Sequence, residues 1–365
     1  MRIAAALSKR VFGQQEAVRE VSVALAKKLA DLRVGNILVI GSSGSGKTTL
    51  MRAVEELLGS NPSLALRSTA IRLHANVLGE DAREGHAGER LLRRLLERAR
   101  EQLGAEAPLE RIVLQASHGL VFIDEVDKIR SRVGDQVMVS GIRAQEALLT
   151  LIENEAVPLR LPDWAGSTTV QVDSSKLLFI CAGAFEGLYE AVFRRVMLGG
   201  GERELKATTV TESGRIREEV HFSLRDWLRS EDLFDYGMTP QFLSRFDAIV
   251  ILEPLSGDQL LKIFVESQDS ALRQSHAYFA SQGLKLELSQ AAARRIVEEA
   301  ARQPRLGARA LKEVFRRVIR AYEYDPRSAP GYAEGRLHID VQDVDRALGP
   351  DRDGAAASSL GWGTP

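Results

Sequence analysis

Short, continuous apolar runs alternate with amphipathic segments through residue 253 of the chain. The apolar runs have the length of strands buried on both faces of a parallel sheet, whereas the amphipathic segments have helical spacing. The predicted strands cover residues 37–40, 70–73, 120–123, 176–180 and 248–252. This alternation predicts an α/β domain, with a parallel sheet between helices.

The predicted helices differ in the breadth of their apolar face. Segment 91–100 is strongly amphipathic, because leucines recur at helical spacing while arginine and glutamate fill the other face. Broader apolar stripes predict helices over 8–32, 49–58 and 144–154. By contrast, 76–88 is rich in glycine and charge, and we predict an exposed loop there.

The pattern changes at Pro254, beyond which helical periodicity dominates. Helices are predicted over 256–282, 289–303 and 307–324, and short strands over 284–288 and 336–339. The last residues are mostly Gly, Ala, Ser and Pro, with little to bury. The predicted parts are a large α/β domain over 1–253, a small, mainly helical domain over 254–348 and a disordered tail over 349–365.

Two segments of the large domain carry other patterns. Residues 207–222 alternate polar and apolar positions around Ser213 and Gly214, which predicts a β-hairpin. Residues 161–166 include Trp164, which could either contact a partner or pack inside.

A glycine-rich turn follows the first predicted strand and leads into the helix predicted over 49–58. Glycines let successive backbone N–H groups point inward at a polyphosphate. Lys47 would supply a cation for the phosphates, and Thr48 a hydroxyl for Mg²⁺. The pattern predicts a phosphate-binding turn made of Gly41, Ser42, Ser43, Gly44, Ser45, Gly46, Lys47, Thr48 and Thr49.

Two carboxylates, Asp124 and Glu125, follow the strand predicted over 120–123. Open parallel sheets bind ligands at the carboxyl ends of their strands. Asp124 would hold Mg²⁺, and Glu125 would orient and polarise an attacking water. Acids at a strand end can also be solubilising charges, but the glycine turn upstream favours the catalytic interpretation.

Charge and composition narrow the classes of partner. The 49 basic and 50 acidic residues nearly cancel, so the chain has no bulk attraction for nucleic acid or anionic membranes. The single cysteine, Cys181, excludes an intrachain disulfide, and the six histidines lack metal-ligand spacing. No window approaches about 18 apolar residues. We therefore expect a soluble, cytoplasmic protein without a membrane partner.

Together these stretches resemble the AAA+ ATPases, and within them the ClpX and HslU group of hexameric protein unfoldases, over residues 8–348. The resemblance implies ATP and Mg²⁺ as cofactors and a homo-oligomeric ring, a hexamer in this group. It extends over an adenine-side box with Val11 and Phe12, a segment of the second pore loop at 139–149, a first sensor strand at 178–185, an arginine-finger segment at 240–245 and a second-sensor box at 307–311.

The resemblance gives roles to two arginines. Arg245 would enter the neighbouring subunit's site and stabilise γ-phosphate charge there, an effect worth about 10³ to 10⁵ in rate. Arg309 would sense the phosphate of its own subunit from the small domain. Either arginine could instead form a surface salt bridge.

The segment that corresponds to the first pore loop departs from the family. Unfoldases of this group have Gly-Tyr-Val-Gly, whereas the aligned residues here are Gly85, His86, Ala87 and Gly88. An imidazole buries less apolar surface than a tyrosine ring, so the grip on polypeptide would be weaker. A competing tripeptide is residues 77–79, and an ordinary exposed loop is the third interpretation.

Further departures concern partners. With one cysteine, we expect no counterpart of the zinc-binding domain of ClpX proteins. Residues 196–233 also lack the Ile-Gly-Phe-type tripeptide that docks a peptidase ring. We therefore expect no ClpP-type peptidase partner.

These features predict an ATP hydrolase whose ring remodels, unfolds or disassembles a protein partner. One alternative is a nucleic-acid motor or loader of the same superfamily, which would need basic or aromatic pore residues that His86 and Ala87 supply only weakly. The other is an ATP-controlled assembly switch without threading.

Overall fold

A computed structural model describes residues 2–60, 69–83, 88–153, 156–161, 168–199, 206–212, 215–329 and 331–349. The chain divides into two compact units. The first comprises Met1–Ser42 and Gly46–Glu253, and the second comprises Ser43–Ser45 and Pro254–Pro365. The tip of the glycine turn therefore groups with the second unit.

The first unit is built from alternating strands and helices. Its strands are β1 (Asn36–Ile40), β2 (Ala70–His74), β3 (Leu120–Asp124), β4 (Arg132–Val133), β5 (Gln136–Val137), β6 (Val157–Arg160), β7 (Thr169–Val172), β8 (Leu178–Gly183), β9 (Lys206–Glu212), β10 (Arg215–His221) and β11 (Phe246–Ile251). Its helices are α1 (Arg2–Ser8), α2 (Gln15–Leu29), α3 (Lys47–Ser60), α4 (Ala75–Arg83), α5 (Glu89–Leu103), α6 (Leu109–Ser117), α7 (Val139–Glu153), α8 (Leu188–Leu198), α9 (Leu224–Trp227), α10 (Ser230–Tyr236) and α11 (Pro240–Leu243).

A parallel sheet with the strand order β11, β1, β8, β3, β2 forms the centre of this unit. Alternate residues of β1 enter two different hydrophobic cores: Leu38 and Ile40 enter one, and Ile37 and Val39 enter the other. Side chains on both faces of the sheet are thus buried, as a parallel sheet requires. The predicted α/β fold is confirmed, and each predicted strand of the sheet is present.

The helix predicted over 8–32 is wrong at its start. The chain forms α1, turns, and only then enters α2 at Gln15. Gly13 lies in the turn with a φ of 75°, which a continuous right-handed helix does not accept. The apolar stripe of α2 was visible in the sequence, and residues 11–14, through which this helix was predicted to be entered, form the turn before it.

The exposed loop predicted over 76–88 is also wrong, because α4 occupies most of this segment. Leu78 is fully buried there. A Cβ built on Gly79 would lie 3.5 Å from the Ala144 Cβ of α7, an ordinary packing distance, so this glycine lies in a helix that packs against α7. Its place in a packed helix was mistaken for a loop signal.

The hairpin predicted over 207–222 is confirmed, since β9 and β10 pair antiparallel. Its base is fixed by Phe222, whose ring meets Tyr189 and Phe193 of α8 edge-on at 4.9 and 5.3 Å between centroids. Trp164 and the hairpin tip at 213–214 lie outside the described residues.

The second unit is mainly helical and has its own core, which includes Phe264, Phe279 and Phe315. The single helix predicted over 256–282 is wrong: the segment forms two helices, and the Ser270 Oγ caps the second by accepting from Arg273 N at 3.1 Å. Its elements are α12 (Gly257–Glu266), α13 (Ala271–Ser281), β12 (Lys285–Leu288), α14 (Gln290–Ala301), α15 (Ala308–Tyr324), β13 (Tyr332–Ala333), β14 (Arg336–Ile339) and α16 (Val341–Leu348). Within the described residues, no helix of either unit is long and apolar enough to span a bilayer.

Gln145 of α7 connects two loops of the first unit, the one at Ile129 and the one at Gly237 and Thr239. It is 1% exposed, and its Nε2 donates to the carbonyls of Ile129 and Gly237 at 2.7 and 3.0 Å. Its Oε1 accepts from both the N–H and the hydroxyl of Thr239 at 2.9 Å. The buried amide is thus satisfied by four hydrogen bonds.

We expect Gln145→Ala to lower the free energy of unfolding by about 2–4 kcal/mol, since it leaves buried backbone groups without partners. Urea unfolding of the full chain measures this. Gln241→Ala, at an exposed position of α11, is the matched control and should change stability by less than about 0.5 kcal/mol. Equal effects of the two variants would contradict the connecting role of Gln145.

Candidate nucleotide site

The glycine turn connects the end of β1 to the start of α3. Gly41 N donates to the carbonyl of Gly183, at the end of β8, at 3.2 Å. Lys47, the first residue of α3, donates from its Nζ to the carbonyls of Gly41 and Ser42, the latter at 2.8 Å. The ammonium group is therefore held over the backbone of the turn, and Thr48 follows in the first turn of the helix.

The shape of the turn fits a phosphate group. Gly44 and Gly46 have φ angles of 73° and 111°, in the left-handed region that favours glycine. A Cβ built on Gly46 would meet no atom within 4 Å, so there is open space beside the backbone. Leu50 N donates to Gly46 O at 2.8 Å, and the earlier N–H groups at the start of α3 are those that a helix leaves for an anion.

The two carboxylates lie at the carboxyl end of β3, at the same edge of the sheet as the glycine turn. Asp124 is the last residue of the strand and is partly buried, and its Oδ1 accepts from the N–H of Glu125 at 2.9 Å. Glu125 is exposed and has a φ of 59°, which is uncommon for a residue other than glycine. Such backbone conformations cost about 1–3 kcal/mol and cluster at functional sites.

His74 is a neighbour of these acids that the sequence prediction missed. It is the last residue of β2 and pairs in register with Asp124. Its Nδ1 lies 3.8 Å from Glu125 Oε2. The strand was predicted to end at residue 73, so the parallel register that brings His74 beside the acids was not seen.

Asp127 is the second residue that was missed, and it connects two strands. Its side chain is buried, and its Oδ1 accepts from Ala184 N at 3.0 Å, which joins the segment after β3 to the end of β8. A Cβ on Gly183 would lie 2.6 Å from that oxygen, so the glycine allows the approach. This carboxylate is therefore a structural neighbour of the catalytic candidates.

The predicted adenine-side residues lie in the turn before α2. Val11 is buried in the hydrophobic core, and Phe12 is half-buried. Gln14 holds this turn through two hydrogen bonds to Glu253: its Nε2 donates to the carbonyl at 2.9 Å, and its Oε1 accepts from the N–H at 3.2 Å.

Arg245 lies at the opposite edge of the sheet from the glycine turn and the acids. Its carbonyl accepts from Asn36 Nδ2 at 3.0 Å, and Asn36 is the first residue of β1, whereas Gly41 follows the last. The length of the strand separates them by about 16 Å. The exposed guanidinium pairs with Glu153. It does not join the glycine turn of its own chain.

Arg309 contacts the tip of the glycine turn within the second unit. Its Nη1 donates to Ser43 Oγ at 2.5 Å, and Ala308 N donates to Gly44 O at 3.1 Å. A Cβ on Gly44 would lie 2.1 Å from the carbonyl of Leu306, so this approach requires glycine. Arg309 therefore lies against residues 43–44, and its role as a sensor of the phosphate stays a prediction.

Of the four predicted pore residues, the structure describes Gly88. Gly85, His86 and Ala87 lie outside the described residues. Gly88 is buried at the start of α5, with a φ of 79°, and a Cβ there would lie 2.6 Å from Leu151. The competing tripeptide at 77–79 lies inside α4, where its leucine is fully buried.

Thr48 and Asp124 are the hydroxyl and carboxylate that could hold Mg²⁺, which takes oxygen ligands and keeps several waters. Across the described ranges no group of three or more His, Cys, Asp and Glu side chains could by itself hold a metal ion. Two protein ligands suit a Mg²⁺ that also takes phosphate oxygens. Such an ion would neutralise charge that develops on the phosphates.

Comparison with family models agrees with this geometry. The AAA domain (Cdc48 subfamily) matches residues 32–249. The C-terminal, D2-small domain of ClpB protein matches residues 255–322. The first match spans the sheet, the glycine turn and the acids, and the second spans most of the helical unit.

Curated relatives carry the name of the ClpX ATP-binding subunit of the ATP-dependent Clp protease. The Porphyromonas gingivalis protein is 28% identical, with 92% of this chain and 81% of the relative covered. ClpX 3 of Methylococcus capsulatus is 31% identical, with coverage of 86% and 70%. ClpX 2 of Wolinella succinogenes is 32% identical, with coverage of 87% and 75%. The chain therefore belongs to the AAA family and is a ClpX-like AAA+ ATPase.

Proposed function

We propose that the chain assembles into a ring, a hexamer, that hydrolyses ATP to remodel, unfold or disassemble a protein partner in the cytoplasm. Each nucleotide site would take Lys47, Thr48, Asp124 and Glu125 from one subunit and Arg245 from the next. The position of Arg245 carries this proposal. Its backbone lies beside the first residue of β1, about one strand length from the glycine turn of its own chain, and its exposed guanidinium pairs with Glu153, which favours a role at a site in another copy.

The residues divide the work of hydrolysis. Lys47 and the N–H groups of the turn bind the phosphates, and Thr48 with Asp124 holds Mg²⁺. Glu125 would orient the water that attacks the γ-phosphate and accept the proton that this water loses. Arg245 of the neighbour offsets charge on the γ-phosphate, so a site is complete only at a contact between two subunits.

The nucleotide residues give a first test. Glu125→Gln should lower kcat by about 10²- to 10⁴-fold and keep nucleotide affinity, because Lys47, Thr48 and Asp124 remain. Lys47→Ala should lose nucleotide affinity itself. Both are measured by steady-state ATPase assays and by fluorescent-nucleotide titration, with Glu110→Gln of α6 as an exposed control.

Two results would contradict these assignments. Glu125→Gln that retains more than about a tenth of wild-type turnover would remove Glu125 from catalysis. Lys47→Ala that binds ATP with unchanged affinity would contradict the phosphate-binding turn.

The trans role of Arg245 gives the second test. Arg245→Ala should leave nucleotide affinity nearly unchanged and lower ring turnover by about 10³- to 10⁵-fold. Mixing Arg245→Ala with Glu125→Gln subunits should restore part of the activity, since a site can combine the intact Glu125 of one with the intact Arg245 of the other. If mixed rings form and no activity returns, Arg245 acts within its own chain.

The segment at 196–233 supports action without a ClpP-type peptidase. In the ClpX and HslU group, which the chain resembles, the corresponding segment bears the docking tripeptide. Here the segment includes the paired strands β9 and β10. Phe222, at the base of the hairpin, packs against α8 through edge-on contacts with Tyr189 and Phe193. A short, loop-borne apolar anchor is thus replaced by a hairpin with a fixed base.

Substrate contact is proposed for the segment 85–87, because Leu78 and Gly79 of the competing tripeptide are buried in α4. His86→Ala should weaken remodelling of a protein captured by the Glu125→Gln variant and leave basal ATP hydrolysis nearly unchanged. His86→Tyr should strengthen remodelling, because it adds apolar contact area. Both are measured as unfolding of the captured protein per ATP hydrolysed.

Val77→Ala, at a half-buried position of α4, is the control for His86. If Val77→Ala abolishes remodelling and His86→Ala does not, the pore residues are misaligned. If neither variant matters, polypeptide is not threaded through this loop, and an assembly switch is the better account. Capture of nucleic acid in place of protein would favour the motor or loader.

A further inference from the structure

Arg245 is held by contacts of both its backbone and its side chain with residues of its own chain. Its backbone carbonyl is fixed to the sheet by Asn36, which also accepts from Phe179 N at 3.0 Å. Its guanidinium pairs with Glu153, the last residue of α7. With the backbone fixed, the direction of the side chain depends on this carboxylate.

The pair between Arg245 and Glu153 has little value for stability. Both side chains are 44% exposed, and ion pairs of this kind contribute about 0–1 kcal/mol. A free arginine side chain, however, has about 2 kcal/mol of rotamer entropy to lose when it is ordered. An ion pair formed beforehand reduces what must be lost when the arginine meets a phosphate.

The same helix also holds the segment that leads to Arg245. Thr239 caps α11, which ends two residues before Arg245, and Gln145 of α7 accepts two hydrogen bonds from it. Gln145 and Glu153 lie about 12 Å apart along α7. Helix α7 thus contacts the segment 239–245 at its first residue, through Gln145, and at its last residue, through Glu153.

The amide nitrogen of Gln145 contacts the loop that follows Asp124 and Glu125. Its Nε2 donates to the carbonyl of Ile129, four residues after Glu125. The loop that follows the catalytic carboxylates and the segment that carries Arg245 are therefore fixed to the same buried side chain of α7. A shift of this helix would change both.

Resting on the proposed function, we propose that Glu153 is a positioning residue that aims Arg245 at the nucleotide of the neighbouring subunit. A guanidinium has five N–H donors, so it can keep its pair with Glu153 and still donate to a phosphate oxygen. Glu153 itself touches no substrate. It acts by holding the arginine in the direction from which it reaches the γ-phosphate.

The test is Glu153→Gln, which keeps the size of the side chain and removes its charge. It should lower kcat by about 10- to 100-fold, the effect of a misplaced group, without changing nucleotide affinity or the melting temperature. The matched control is Glu146→Gln, the same change at another exposed position of α7, which should behave as wild type. A kcat for Glu153→Gln equal to that of the control would overturn the proposal.

Subunit mixing distinguishes an effect of Glu153 on the neighbouring subunit's site from damage to the site of the variant subunit itself. Rings that combine Glu153→Gln with Glu125→Gln subunits should recover activity, because the second kind supplies an intact pair of Glu153 and Arg245 to the first. No recovery in demonstrated mixed rings would overturn the proposal.

Arg245→Ala separates this proposal from the function on which it rests. If Arg245→Ala loses turnover and Glu153→Gln does not, only the positioning role fails. If Arg245→Ala keeps full turnover, the shared site fails, and the positioning role fails with it.

Discussion

The parallel direction of β1, β8 and β3 is the constraint on which the rest of the structure depends. It places the glycine turn, Asp124 and Glu125 at one edge of the sheet and leaves Arg245 at the other. A single subunit thus has the residues proposed to bind and cleave a nucleotide at one edge and, about one strand length away, the backbone of the arginine proposed to serve another subunit. The polarity of the sheet is therefore the physical basis of the proposed site shared between subunits.

Helix α7 links the two edges. Gln145 bonds to the loop after the acids and to the cap of the arginine segment, and Glu153 pairs with Arg245. These contacts are of different kinds, since the amide of Gln145 is buried and fully hydrogen-bonded, whereas the ion pair is exposed to solvent and contributes little to stability. In a ring, the state of one site could reach the next through this helix.

The buried strands and the phosphate turn were predicted, whereas the turn at Gly13, the helix cap at Ser270 and the contacts between distant strands were not. The strands were evident as apolar runs, and the phosphate turn as glycines before Lys47, because both follow from local spacing. The place of His74 beside Glu125 depends on register between strands that are far apart in sequence. Likewise, Gly79 was taken for a loop residue because its contact with α7 is a tertiary one.

A structure of the ATP-bound Glu125→Gln ring would test the central claim most directly, through the distance from the Arg245 guanidinium to the γ-phosphate. A site shared across the subunit contact predicts hydrogen-bond distance, about 3 Å, to the phosphate of the neighbouring subunit. It also predicts that Arg245 remains about one strand length from the glycine turn of its own chain. Arg245 within hydrogen-bond distance of its own nucleotide, or of none in a closed ring, would contradict the account.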